Sequence, residues 1–266
     1  MMTDAISHRG PDGEGHWIEN NVGLGHRRLA IIDLTESGKQ PMVSSDQQYV
    51  LVYNGEIYNY KEIKKELELS GKKFKGDSDT EVLLQSLITW GEKAILKLNG
   101  MFAFAFWDRS KKSLFLGRDR YGIKPLYYYF KDDLFIFSSE QKSIFSHPSF
   151  KREINKKALL EYFTFQNIFT NQTLLKEINI LPAGHWMRFI PDENHLTKFM
   201  YWDYKFQEVN HSPDLREYTE ELDRLFKQAV NRQLIGDVEL GTYLSGGMDS
   251  GSISAIASKN FKNLKS

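Results

Sequence analysis

Through about the first two hundred residues the chain reads as short apolar runs broken by turn residues, with few stretches of helical spacing. Residues 22–33, 49–53, 101–108, 113–119, 126–130 and 134–138 are rich in aromatic and β-branched side chains and are bounded by Gly, Asp, Lys or Pro, so each predicts a strand. Asp132-Asp133 between two aromatic runs predicts a hairpin turn. Helical spacing appears at 60–70, where Tyr60, Ile63 and Leu67 share a face and Gly71 offers a C-cap. It appears again at 79–90, with Val82, Leu83, Ser86 and Leu87 inward and Asp77, Ser78 or Asp79 as N-cap. A third helix is predicted over 156–163, and a turn at 181–185 leads into a strand at 186–190. Residues 210–214 turn polar and carry Pro213, which predicts a linker. Beyond it, 215–234 is amphipathic, with Leu222, Leu225, Phe226, Ala229 and Val230 recurring at three and four. A strand-like run at 238–244, a glycine turn and a helix-like run at 252–259 complete the chain.

The order predicts an α+β chain with a β-rich front domain, residues 1–209, and the opening helix, strand and loop of an α/β domain, residues 210–266. Hydrophobic residues at 41% and aromatics at 14% of 266 positions suffice for a real core. Lys plus Arg equals Asp plus Glu at 35 each, so net charge gives no reason to expect nucleic acid or an acidic membrane as partner. No run approaches a membrane span and the first residues lack a signal-peptide pattern, which makes a cytoplasmic protein the expectation. There is no cysteine, hence no disulfide, no cysteine-ligated zinc and no cysteine nucleophile among these residues.

The loop Ser245-Gly246-Gly247-Met248-Asp249-Ser250 lies between the strand-like and helix-like runs. Glycines let a backbone approach an anion, and a helix N-terminus presents unpaired N–H groups and a positive dipole end, so the arrangement suits phosphate. Ser245 and Ser250 add hydroxyl donors, and Asp249 is a candidate Mg²⁺ ligand against a pyrophosphate. The Gly-Lys-Ser/Thr of a Walker A loop is missing. The segment resembles the PP-loop of ATP pyrophosphatases, a resemblance that implies ATP binding by Leu244, Ser245, Gly246, Gly247, Asp249 and Ser250.

Four front-domain segments stand out: His8-Arg9-Gly10-Pro11-Asp12-Gly13, residues 25–33 around Arg27-Arg28, Tyr53-Asn54-Gly55-Glu56, and Gly76-Asp77-Ser78-Asp79-Thr80-Glu81. Singly each has a plain explanation: Asn-Gly is more often a hairpin turn, Ser-Asp-Thr-Glu a helix cap, Arg-Arg a solvated strand edge. His8, His16 and His26 lack metal spacing and read as structural. Together and in this order, with residues 100–108, 117–127, Ser139-Glu140-Gln141-Lys142 and Leu181-Pro182-Ala183-Gly184, they resemble the class II, N-terminal nucleophile amidotransferases, specifically the glutamine-dependent asparagine synthetase family.

The resemblance implies an Ntn-hydrolase-like αββα sandwich followed by the start of a PP-loop domain. It implies glutamine bound by Arg28 at the carboxylate, by Glu56 and Asp79 at the ammonium group, and by the backbone of Leu29, Ala30, Ile31 and Ile32. Asn54 and Gly55 would form an oxyanion hole. The family reaction joins ammonia from glutamine to aspartate at the expense of ATP and Mg²⁺. The family nucleophile is an N-terminal cysteine, which this chain does not contain. Thr3 is the alternative hydroxyl, and the resemblance places it in a helix and away from the catalytic start. The sequence is thus expected to be an internal fragment, missing its first strand and most of its synthetase domain, and inactive alone. Other readings stay open: a member amidating a sugar acid or peptide precursor, a non-catalytic glutamine-binding subunit, a homodimer, or half of an enzyme completed by another chain.

Overall fold

Residues 1–206, 214–261 and 264–266 are described in the computed structural model. They divide into two units, Met1–Ala30 with Thr35–Asp203 and Ile31–Leu34 with Tyr204–Ser266. The predicted linker falls on residues 210–213, outside the described residues, and on Asp214, the N-cap of the helix that follows.

The first unit begins with a single-turn-type helix, Asp4–Arg9, then β1 (Gly13–Glu19), β2 (Val22–Arg28), β3 (Met42–Val43) and β4 (Tyr49–Ile57). Helices α1 (Tyr60–Leu69), α2 (Asp79–Trp90) and α3 (Ala94–Lys97) precede β5 (Gly100–Asp108), β6 (Ser113–Arg118), β7 (Tyr127–Lys131) and β8 (Leu134–Ser138). Then come α4 (Gln141–Ile144), α5 (Lys156–Phe165), β9 (Ile178–Ile180), β10 (His185–Ile190) and β11 (His195–Met200). A six-stranded sheet runs in the order β11-β10-β6-β5-β4-β3, with every pair antiparallel. β1 and β2 pair with each other, and β8-β7-β9 form a third sheet.

Both faces of the large sheet are covered, which is why β4 to β6 read as nearly continuous apolar runs. On one face Val50, Val52, Ala103, Ala105, Trp107, Leu114 and Leu116 share a core with Leu24 of β2 and with Leu126, Tyr128 and Leu181. The alternate residues Leu51, Tyr53, Phe102, Phe104 and Phe106 are buried on the other face, where α2 packs against β4 and α1 against α2. Removing a side chain such as Phe104, fully enclosed there, would cost about 3–5 kcal/mol.

Several sequence expectations shift. The strand expected over 22–33 stops at Arg28, because the Ala30 N–H turns to the Asp12 carboxylate (2.9 Å) and Asp33 adopts a left-handed φ of 56°. The strand expected over 49–53 continues to Ile57: Asn54-Gly55 is strand interior, not a turn. Ser78 is the α2 cap, its Oγ accepting from Glu81 N (3.2 Å), and Ser70 caps α1 with Gly71 following at φ 89°. The Asp132-Asp133 turn joins β7 to β8 as expected, with Asp132 at φ 49°.

The second unit holds α6 (Leu215–Gln233) and α7 (Met248–Asn260), whose contact buries Val230 and Ala257. Asp237 joins residues 31–34 to this unit, its N–H donating to Ile31 O (2.9 Å) and its carboxylate accepting from Asp33 N (2.8 Å). The strand expected over 238–244 does not form. A parallel strand needs a neighbour, and here Gly241 makes one bridge to Lys265, with Thr242 N donating to Lys265 O (2.8 Å). Leu222 and Leu225 on the apolar face of α6 are exposed among the described residues.

Candidate functional site

The end of β4 carries Asn54, Gly55 and Glu56, opposite Ala103, Phe102 and Met101 of β5. The two backbones approach closely here. A Cβ on Gly55 would lie 2.1 Å from Met101 O, and one on Gly100 would lie 2.1 Å from Glu56 O, so glycine is required at both positions. Asn54 is half-buried, and its Nδ2 is buried without a hydrogen-bond partner, as are Trp107 Nε1 and Arg188 Nε among the described residues. A buried amide donor left unpaired is unfavourable, and at this strand end it is the group a ligand oxygen would satisfy.

Asp79 opens α2 and is tied to the same strand. Its Oδ2 accepts from Tyr53 Oη (2.8 Å) and from Ile57 N (3.0 Å), bonds that bracket Asn54 to Glu56. Burial pushes the Asp79 carboxyl above its usual range, and these bonds pull it back. Glu56 is half-buried and is likewise raised, first by burial, with Lys124 drawing it down and Asp79 adding to the rise. Tyr53 and Tyr58 are held well above the ordinary phenol range by burial, so both hydroxyls stay protonated. The loop before α2 is fixed by Glu81, whose carboxylate accepts from Lys75 N and Gly76 N (2.8 Å for the latter).

Arg28 ends β2, half-buried, and its Nη1 donates to Thr35 O (2.8 Å). The His8–Gly13 turn packs on it: Asp12 N donates to Arg28 O (3.0 Å), and a Cβ on Gly10 would lie 2.5 Å from Arg28 N. Leu29 is exposed and Ala30 half-buried in the first unit, whereas Ile31 and Ile32 belong to the second. The structure thus ties Asp79 to Tyr53 and Ile57, the residues on either side of Asn54, Gly55 and Glu56, and places Arg28 at the end of β2, whose Leu24 shares the core of Val50 and Val52. Thr3 precedes the first helix, buried, with its Oγ1 2.8 Å from His16 Nε2.

Sequence reasoning assigned no role to Asp119, which is completely buried. Its Oδ1 accepts from Tyr121 N and Ile123 N (3.0 Å each), and its Oδ2 from Phe102 N (3.1 Å) and Lys124 N (3.0 Å). Arg118 beside it donates to the carbonyls of Gly122, Lys124 and Leu181. Together they fold residues 119–125 onto β5 at Phe102, the partner of Gly55. The signal was the charged pair within an otherwise apolar strand end. A separate cavity of about 470 Å³, lined by Glu19, Gln48, Trp107, Arg109 and Lys112 among others, lies by the opposite end of β4. Its cations are engaged, Arg109 with Glu19 and Lys112 with Asp192, so it offers little for a charged substrate.

In the second unit Gly246 (φ 81°) and the N-cap Gly247 lead into α7. Gly251 N is bonded to Gly247 O (3.0 Å), so the N–H groups of Met248, Asp249 and Ser250 precede the helical ladder and have no acceptor within it. Ser245 and Ser250 hold the turn through their hydroxyls (2.9 Å), and Leu244 is exposed before it. No group of three His, Cys, Asp or Glu able to hold a metal occurs among the described residues, so Asp249 belongs to no such group. No helix among them is long and apolar enough to cross a membrane.

Residues 221–266 match the asparagine synthase family. Over 264 residues the chain is 40% identical to asparagine synthetase [glutamine-hydrolyzing] 3 of Bacillus subtilis, covering 98% of this chain and 42% of that protein. It is 38% identical to a putative asparagine synthetase [glutamine-hydrolyzing] 2 of Methanocaldococcus jannaschii (96% and 52%) and 35% identical to amidase chry2 of Gibberella zeae (97% and 38%). The chain thus spans about two fifths to one half of the length of these relatives. Its fold resembles that of the glutamine phosphoribosylpyrophosphate amidotransferase of B. subtilis, at a TM-score of 0.55 and 16% identity over 99% of this chain and 61% of that one. Residues 1–202 match the family described as glutamine amidotransferase domain, and the chain belongs to that family.

Proposed function

We propose that the first unit binds L-glutamine at the end of β4. The observation that carries this reading is the unpartnered, buried Asn54 Nδ2, set beside Gly55 and the half-buried Glu56 on a strand that Asp79 holds through Tyr53 and Ile57. In this reading Asn54 Nδ2 and Gly55 N–H face the oxygen on which negative charge develops during amide cleavage. Glu56 and Asp79 receive the α-ammonium group, Arg28 takes the α-carboxylate, and the backbone of Leu29 and Ala30 frames the substrate. The sequence contains no cysteine, so a thiol nucleophile comes from outside these 266 residues. A complementing chain is one source to test, and homodimer formation is a separate question answered by the mass in solution.

For the whole protein the reading is glutamine-dependent asparagine synthesis in the cytoplasm: ATP, aspartate, glutamine and water give asparagine, AMP, pyrophosphate and glutamate. Residues 1–209 form the glutaminase domain and residues 210–266 open the synthetase domain. Leu244, Ser245, Gly246, Gly247, Asp249 and Ser250 fit a nucleotide's phosphates, because the first N–H groups of α7 lie beyond a turn free of side chains at Gly246 and Gly247. Mg²⁺ would reach Asp249 together with those phosphates, since the described residues supply no cage of their own.

Isothermal titration of the purified chain with L-glutamine tests the site. Saturable one-to-one binding without ammonia release is expected. Absence of saturation overturns the glutamine reading, and ammonia release that survives repurification overturns the assignment of the nucleophile to residues outside this sequence.

A further inference from the structure

We propose that Gln40 is a positioning residue of the glutamine site, capping the open edge of β4 so that the Gly55 N–H is presented to the substrate's amide oxygen. Its role rests on the glutamine reading of that strand end given above. In an antiparallel strand the N–H and C=O of one residue point to the same side, and the side alternates from residue to residue. β4 has β5 along one edge and β3 along the other, but β3 is only two residues long and pairs with Val50 and Leu51 alone.

Beyond β3, side chains take over as partners of that edge. Tyr53 N donates to Gln40 Oε1 (2.6 Å) and Ile57 N to Asp79 Oδ2 (3.0 Å), as Tyr49 N does to Ser44 Oγ (3.0 Å) at the other end of the strand. Tyr58 N, of the opposite parity, turns to Asn99 O just before β5 (2.8 Å). Gly55 shares the parity of Tyr53 and Ile57, so its N–H points out of the β4–β5 ladder, between the positions capped by Gln40 and Asp79. No strand of the sheet runs along that stretch of the edge.

The Gln40 side chain is 7% exposed and its orientation is determined. Only its carbonyl oxygen can accept from the Tyr53 N–H, which leaves Nε2 to donate to Thr80 Oγ1 (3.5 Å), beside Asp79 in the first turn of α2. Its backbone is confined as well, since a Cβ on Gly15 of β1 would lie 2.1 Å from Gln40 O. Gln40 thus does at Tyr53 what another residue of β3 would do, without carrying a strand across Gly55 and covering its N–H. An apolar residue at position 40 would leave the buried Tyr53 N–H unpaired, and relief of that cost would shift the strand that carries Asn54 and Gly55.

The test compares wild type with Gln40→Met and Gln40→Glu by amide hydrogen exchange and by calorimetric titration with L-glutamine and L-norvaline. Norvaline keeps the α-ammonium and α-carboxylate groups but has no side-chain amide to engage the Gly55 N–H. In free wild type the Tyr53 and Ile57 amides should exchange slowly and Gly55 quickly, with glutamine and not norvaline protecting Gly55. In Gln40→Met the Tyr53 amide should exchange about tenfold faster and glutamine should bind about 3- to 10-fold more weakly, the worth of one hydrogen bond, while norvaline stays within about twofold. Gln40→Glu keeps an oxygen for the Tyr53 N–H, and the Thr80 hydroxyl can donate to the other, so both readouts should stay close to wild type. An unchanged Tyr53 exchange rate in a folded Gln40→Met overturns the proposal, as does an equal loss for glutamine and norvaline, which would mark a purely structural role. A Gly55 amide as slow as Tyr53 in the free wild type overturns it whatever the variants do. If wild type binds no glutamine, the site reading falls with that titration, while the exchange pattern of the free chain still decides whether Gln40 caps the edge and leaves Gly55 open.

Discussion

Replacing Asp119 by Asn should damage stability more than any other isosteric change in the first unit. The side chain has 0% exposure and receives four backbone N–H groups, two on each oxygen. Asparagine keeps the shape but turns one oxygen into an NH₂ group that faces two N–H donors. Two buried donors then lose their acceptor, at about 1–3 kcal/mol each, so the loss is about 2–6 kcal/mol. For a unit of this size each kcal/mol moves Tm by about 2–4 °C, which puts the expected fall near 12 °C and not below about 4 °C. Differential scanning calorimetry and urea unfolding read by tryptophan fluorescence both report it. Glu68→Gln on the exposed side of α1 is the control and should stay within about 0.5 kcal/mol. A Tm for Asp119→Asn within 2 °C or so of wild type would refute the account of Asp119 as the clamp of residues 119–125 on β5.

Three further outcomes follow from the same geometry. Arg28→Ala should weaken L-glutamine binding by about 10- to 100-fold by calorimetric titration, the effect of losing charge-assisted hydrogen bonds to a carboxylate; undiminished affinity would remove Arg28 from the site. Gly55→Ala should destabilise by about 3 kcal/mol, because its Cβ meets Met101 O at 2.1 Å and the Phe102 Cα at 2.7 Å, whereas Gly23→Ala, with open space around it, should be nearly neutral in thermal unfolding. His26 is held at about 4, from an ordinary 6.5, first by burial and then by the Arg28 charge. Between those pH values the unfolded chain binds a proton that the folded chain refuses, so stability should fall by about 3 kcal/mol from pH 6.5 down to 4 and be untouched above 6.5. His26→Gln should flatten that part of the profile; an unchanged slope would show that the imidazole is freely solvated.

What the sequence revealed followed from how local each signal is. The α2 face was legible because Val82, Leu83, Ser86 and Leu87 repeat within one helix, and all four are buried. β1 was invisible because Gly13-Glu14-Gly15-His16 has no apolar run; it exists through its pairing with β2. Asn54-Gly55 reads locally as a turn, yet β5 extends the ladder through it, a tertiary effect that no window of neighbours contains. The run at 238–244 shows the converse, strand propensity without a partner long enough to pair. Of the candidate site, family resemblance pointed to Asn54, Gly55, Glu56 and Asp79. The joints that hold them, Tyr53 to Asp79 and Asp119 to Phe102 and Lys124, link residues up to 26 positions apart and needed coordinates.

The unpaired Asn54 amide also bears on how such a protein changes under selection for robustness alone. A buried donor without an acceptor costs about 1–3 kcal/mol in the free chain, a debit that a ligand oxygen would cancel. Replacement of Asn54 by an apolar residue of similar volume should therefore raise the melting temperature of the free protein. Lineages released from the need to cleave an amide would be expected to drift away from asparagine here first, while Asp119, whose bonds serve only the fold, would stay. The identity of residue 54 thus works as a record of whether the site is still in use.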